Sequence, residues 1–112
     1  MSFFSSDIVQ EEMREISDLQ QRIFENMFTF FTMNKEEKIE HIEILEQLIN
    51  KQRVLYTRLS LSDDPEAKKM HQRILDSATE MGYPKKTDLC QILQSMEKQL
   101  SSLKKMMESG VD

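Results

Sequence analysis

Two glycines and two prolines in 112 residues leave this chain few places to turn sharply. A sandwich or barrel reverses direction about every 8–12 residues, and each reversal draws on residues that accept positive φ or fix φ near −65°. Leu, Met, Glu, Gln and Lys are abundant instead, and these are strong helix formers. The expected fold class is therefore all-α. The length suits one core that removes about two-thirds of the unfolded surface from water, so a single all-helical domain over residues 1–112 is expected.

The rare breakers and the capping residues divide the chain into four helical segments. The first is expected from about Ser6 to Phe31, with Val9, Met13, Ile16, Ile23, Met27 and Phe30 stepping by three and four and only Gln20 interrupting. With Ser5 as its N-cap, Phe4 and Val9 occupy the positions of a hydrophobic staple. Asn34 followed by Glu37 is a capping-box signature, so a second helix starts there and runs to about Ser60, carrying Ile39, Ile42, Leu45, Ile49, Tyr56 and Leu59, widened by Leu48 and Leu55. The short break at Thr32 and Met33 makes these two an antiparallel hairpin. Asp64 caps a short third helix with Pro65 at its first position, and its apolar residues are Met70, Ile74, Leu75, Ala78 and Met81. Gly82 and Pro84 end it. Thr87 and Asp88 cap a long fourth helix with Leu89, Leu93, Met96, Leu100, Leu103 and Met107 in register, closed by Gly110. The architecture expected is a hairpin plus a short third and a long fourth helix, bundle-like and completed by dimerisation.

Fifteen Lys and Arg against twenty Asp and Glu give a net charge of −5, and Lys85-Lys86 and Lys104-Lys105 are only pairs. Nucleic-acid binding needs a concentrated cationic surplus, so it is not expected. Nor is a membrane role, since no apolar run approaches the roughly 20 residues of a span, and the first cation is Arg14 rather than part of a leader segment. One cysteine, Cys90, cannot form an internal disulfide, which fits a cytoplasmic location.

Candidate chemistry is sparse. A two-metal bundle needs Glu-x-x-His, but Lys38 and Lys68 stand three residues before His41 and His71. Both histidines are expected at the surface, and no metal or cofactor is expected. Cys90 near a helix start would gain reactivity from the dipole; as a small, partly buried residue beside Leu89 it needs no such role. There is no phosphate loop or nucleophile elbow, so no catalytic residues are expected. The acidic groups Glu11-Glu12, Glu36-Glu37, Asp63-Asp64 with Glu66, and Asp88 are expected in first helical turns, where the dipole favours them by roughly 0.3–1 kcal/mol each.

One feature exceeds what a monomer core requires. Leu19, Ile23, Met27 and Phe30 lie on one stripe of the first helix, and Phe24, Phe28 and Phe31 on its neighbour, an arc too wide for one packing partner. Nine methionines add conformable apolar surface. A homodimer with Phe24, Phe28 and Phe31 in its interface follows, acting by binding another protein. The competing expectation is a small-ligand or metal-binding bundle with its site between helices.

At Phe3-Phe4-Ser5-Ser6-Asp7-Ile8-Val9-Gln10 the sequence resembles the opening Phe-Phe-Asp-Ser-Glu-Ile-Val-Gln of a small family found in cyanobacteria and their marine phages. Arg53 and Arg58 running into Leu61-Ser62-Asp63-Asp64 resemble that family's Arg-rich helix end and Leu-Ser-Asp-Asp turn. Ser5, where the family has Asp, and the Asp64-Pro65-Glu66 helix start depart from it. The resemblance implies an all-helical fold and a cyanobacterial or cyanophage source, with a host-directed regulator as its elaboration and the host cytoplasm as its site. It brings no catalytic residues.

Overall fold

The computed structural model describes residues 2–84 and 88–110. Four helices account for most of them: α1 (Asp7–Met27), α2 (Lys35–Leu61), α3 (Pro65–Glu80) and α4 (Leu89–Glu108), with single 3-10 turns at Phe3–Ser5 and Phe30–Thr32. No strand occurs among the described residues, and none of their helices is long and apolar enough to cross a membrane.

The local start and stop signals act as their chemistry requires. Glu37 N donates to Asn34 Oδ1 at 2.8 Å while Asn34 N donates to Glu37 Oε1 at 3.4 Å, a complete capping box. Asp64 accepts from Glu66 N with Pro65 in the first turn, and Asp88 Oδ1 accepts from Cys90 N at 3.0 Å. At the end of α3, Gly82 at φ +102° lets Tyr83 N reach Ala78 O and Gly82 N reach Thr79 O, both 3.0 Å, which satisfies carbonyls the helix would otherwise orphan. Thr87 and the Lys85-Lys86 pair lie outside the described residues.

The start and end of α1 differ from expectation. Ser6, not Ser5, precedes it, and its side chain makes no capping bond; Ser5 closes the preceding turn, bonding Ser2 O through Oγ. The Phe4–Val9 staple position is lost, and Phe3 and Phe4 instead stack edge to face at 5.1 Å. Helix α1 stops at Met27 rather than Phe31. Two threonines in Phe28-Thr29-Phe30-Phe31-Thr32 explain why: Thr29 Oγ1 bonds Asn26 O at 3.3 Å and Thr32 Oγ1 bonds Thr29 O at 2.7 Å, side-chain bonds that compete with helical continuation.

Helix α2 is the central member. Glu12–Arg58 (3.1 Å) and Glu15–Lys51 tie it antiparallel to α1, and Arg53–Glu97 (3.2 Å) and Glu46–Lys104 (3.3 Å) tie it antiparallel to α4. Glu12 is thus a cross-link in the second turn of α1, not a first-turn dipole charge. The Lys104–Glu46 contact is charge proximity, since Glu46 Oε1 receives no aligned hydrogen bond. Between α1 and α2 the core cluster is Leu19, Ile44 and Leu48, with Ile16 and Ile23 against it. Helix α3 packs on α2 and on the Phe3–Ser5 turn.

A helix packed on two sides buries more than one stripe, and this corrects two expectations. Ile44, off the expected stripe, is buried, and so is His41, expected at the surface, which shares a face with Ile44 and Leu48 at spacings of three and seven. The molecule is elongated, 48 × 32 × 22 Å, with a radius of gyration of 16.2 Å against about 13 Å for a compact chain of this length.

Candidate interaction surface and interhelical cavity

The early end of α1 reshapes the aromatic stripe. Phe24 and Phe28 remain one turn apart and pack edge to face, centroids 5.6 Å apart at 88°. Phe31 belongs to the 3-10 turn and packs on Phe30 at 5.9 Å. The three expected interface residues therefore share the hairpin tip, but not one continuous helical face. All are exposed, Phe24 at 57%, Phe28 at 76% and Phe31 at 91%. Met27 was expected on the hairpin face and is 59% exposed instead, because the chain turns away immediately after it.

Phe30 anchors the tip from inside. Its ring lies 5.4 Å from that of His41, and Lys38 Nζ stands 5.4 Å from its centroid, a cation–π contact. His41 Nδ1 is buried with no hydrogen-bond partner. Such an orphan ring nitrogen costs about 1–3 kcal/mol. Its spacing of three and seven from Ile44 and Leu48 is the sequence signal of its burial, while its contact with Phe30 depends on the 3-10 turn.

The other end of the molecule holds a cavity of about 420 Å³. Phe3 and Phe4 from the first turn, Met13 and Ile16 from α1, Leu55, Tyr56 and Leu59 from α2, Met70 and Ile74 from α3, and Leu89, Ile92 and Leu93 from α4 form its walls, with Gln52 as the one amide. One edge is fixed by Asp64, whose Oδ1 caps α3 while Oδ2 accepts from Phe3 N. Beside the cavity, Tyr56 Oη lies 3.0 Å from His71 Nε2, so the second histidine is also more than a surface group. Burial raises the Tyr56 phenol above its ordinary range, and the negative charges available to Cys90 and Asp88 push in the same direction. Cys90 is partly buried, with Sγ 3.4 Å from Thr57 Oγ1.

Among the described residues no three His, Cys, Asp or Glu side chains gather as a metal-binding group. His41 and His71 lie on different helices, one at the hairpin tip and the other beside Tyr56 near the far end of α2. No local motif marks the cavity, because its lining comes from five separated segments.

No curated protein and no solved structure matches the chain. The model of one family, described as "Domain of unknown function (DUF1825)", matches residues 1–107. That match covers nearly the whole length, and the chain belongs to the DUF1825 family.

Proposed function

We propose that this protein is a non-enzymatic, cytoplasmic interaction module that pairs with a second copy of itself through the hairpin tip and acts by binding another protein. The observation that carries the reading is surface. The chain exposes 8113 Å², whereas a compact monomer of 13.3 kDa exposes about 6,500 Å². The excess, about 1,600 Å² per chain, is of the size that stable homodimers remove from water on each side. No large side chain is fully buried among the described residues. Phe24 and Phe28 pack on each other, Met27 and Phe31 are exposed at the same hairpin tip, and exposed apolar clusters mark contact surfaces.

Two copies related by a two-fold axis would bring one tip against the other, so that each aromatic residue is used twice. A regulatory role in a cyanobacterium or its phage is supported by the sequence resemblance alone. Sedimentation equilibrium at micromolar concentration tests the reading: the wild type should be a dimer, and Phe28→Glu a monomer that keeps its helical circular dichroism, because a carboxylate is not buried unpaired. A wild type that sediments as a monomer refutes it.

A further inference from the structure

The cavity at the opposite end has no part in that association, and its walls come from five segments of one chain. At about 420 Å³ it falls within the 300–1,000 Å³ span of small-molecule sites, and its walls are hydrocarbon and aromatic with almost no polar surface turned inward. An apolar cavity of about 150 Å³ already takes up small apolar molecules rather than water. This one is nearly three times larger.

The electrostatics narrow the occupant. Among the described residues, no Lys, Arg, Asp or Glu lines the cavity. Ionisable groups near it include the His71 ring on Tyr56, Asp88 and Cys90 near the same phenol, Asp64 at the Phe3 edge, and Arg73, which borders Met70, Ile74 and Leu89. An ion of either sign would be desolvated against walls whose described residues hold no opposite charge. At roughly 30 Å³ per water-sized group, the volume holds about 14 non-hydrogen atoms.

We infer that this cavity binds a neutral, mostly hydrocarbon molecule of roughly ten to fourteen non-hydrogen atoms, its apolar body against the walls and any hydroxyl at the open mouth. The Tyr56 phenol, engaged by His71, forms part of the wall. Met13, 44% exposed, marks the mouth, and with Met70 it gives the walls side chains that adapt to chain shape.

Isothermal titration calorimetry of the full chain with n-decanol and with decanoate tests this. The alcohol should bind saturably, one per chain, and the carboxylate at least tenfold more weakly. Leu93→Trp, which fills the cavity from α4, should weaken the alcohol at least tenfold. Ile74→Phe from α3 should do the same, so a failure of one variant to fold leaves the test standing. Phe28→Glu should bind like wild type, which separates this site from the association surface. Absence of saturable alcohol binding by the wild type, equal affinity for decanoate, or undiminished binding in a folded cavity-filling variant overturns the inference.

Discussion

Phe28→Ala distinguishes a contact surface from a core more sharply than a charge does, because truncation brings no new penalty. Full burial of a Phe side chain is worth about 1.5–3 kcal/mol, and Phe28 is 76% exposed in the single chain. Covering the remaining three-quarters is worth about 1–2 kcal/mol per copy, and a two-fold dimer counts it twice, about 2–4 kcal/mol. At about 1.4 kcal/mol per decade, the dissociation constant should rise by roughly 1.5 to 3 orders of magnitude. The folded monomer should hardly notice, with a change within about 0.5 kcal/mol, as for an exposed substitution. Leu48→Ala supplies the contrast. Leu48 is 9% exposed in the cluster with Leu19 and Ile44, and its truncation should cost the chain's own fold about 2–5 kcal/mol. Sedimentation across a concentration series reads association, and urea unfolding followed by circular dichroism below the dissociation constant reads the fold. A shift in dissociation smaller than tenfold, or destabilisation of the Phe28→Ala monomer as large as that of Leu48→Ala, refutes the assignment of Phe28 to an interface.

Two further outcomes rest on single side chains. His41→Leu removes the orphan Nδ1 while keeping an apolar body against Phe30, and it should raise unfolding free energy by about 1–2 kcal/mol in urea; a loss of stability would mean that the ring nitrogen is satisfied in solution. Because the Tyr56 phenol is raised in the folded chain, first by burial and then by Cys90 and Asp88, the unfolded chain ionises first. The contribution is present in full below about pH 10 and is lost as pH climbs through the folded value. In a Tyr83→Phe background, ultraviolet absorbance should show Tyr56 ionising above pH 10, and a midpoint at or below 10 refutes the buried setting.

Features that depend on neighbours in sequence were legible, and features that depend on neighbours in space were not. The capping box at Asn34 and Glu37, the Asp64-Pro65 start, and the glycine terminators at positions 82 and 110 all bond within a few residues, so their chemistry is written locally. Periodicity placed the aromatic tip correctly at the surface, but it projected Phe24, Phe28 and Phe31 onto one helix that ends before the last of them. The burial of His41 and Ile44 escapes a single-stripe reading because α2 packs against α1 on one side and α4 on another, and such a reading has no place for a second face. The cavity was beyond reach for the same reason: Phe3, Tyr56, Ile74 and Leu93 share nothing in sequence except that α2 gathers their elements around its end.

The bond from Phe3 N to Asp64 Oδ2 joins residues 61 positions apart, and it gives the cavity edge a clock. The Phe3–Ser5 turn is a single turn of 3-10 helix with no buried residue of its own. Its hold on α3 through that amide is therefore among the weaker links of the molecule, and local opening there requires far less than global unfolding. An amide proton held by a distant carboxylate exchanges with solvent only when the two ends part. The exchange rate of the Phe3 amide thus counts how often the chain's first turn swings clear of Asp64, and a molecule occupying the space behind Phe3 and Phe4 should slow that count without touching the exchange of the α1–α2 hairpin core.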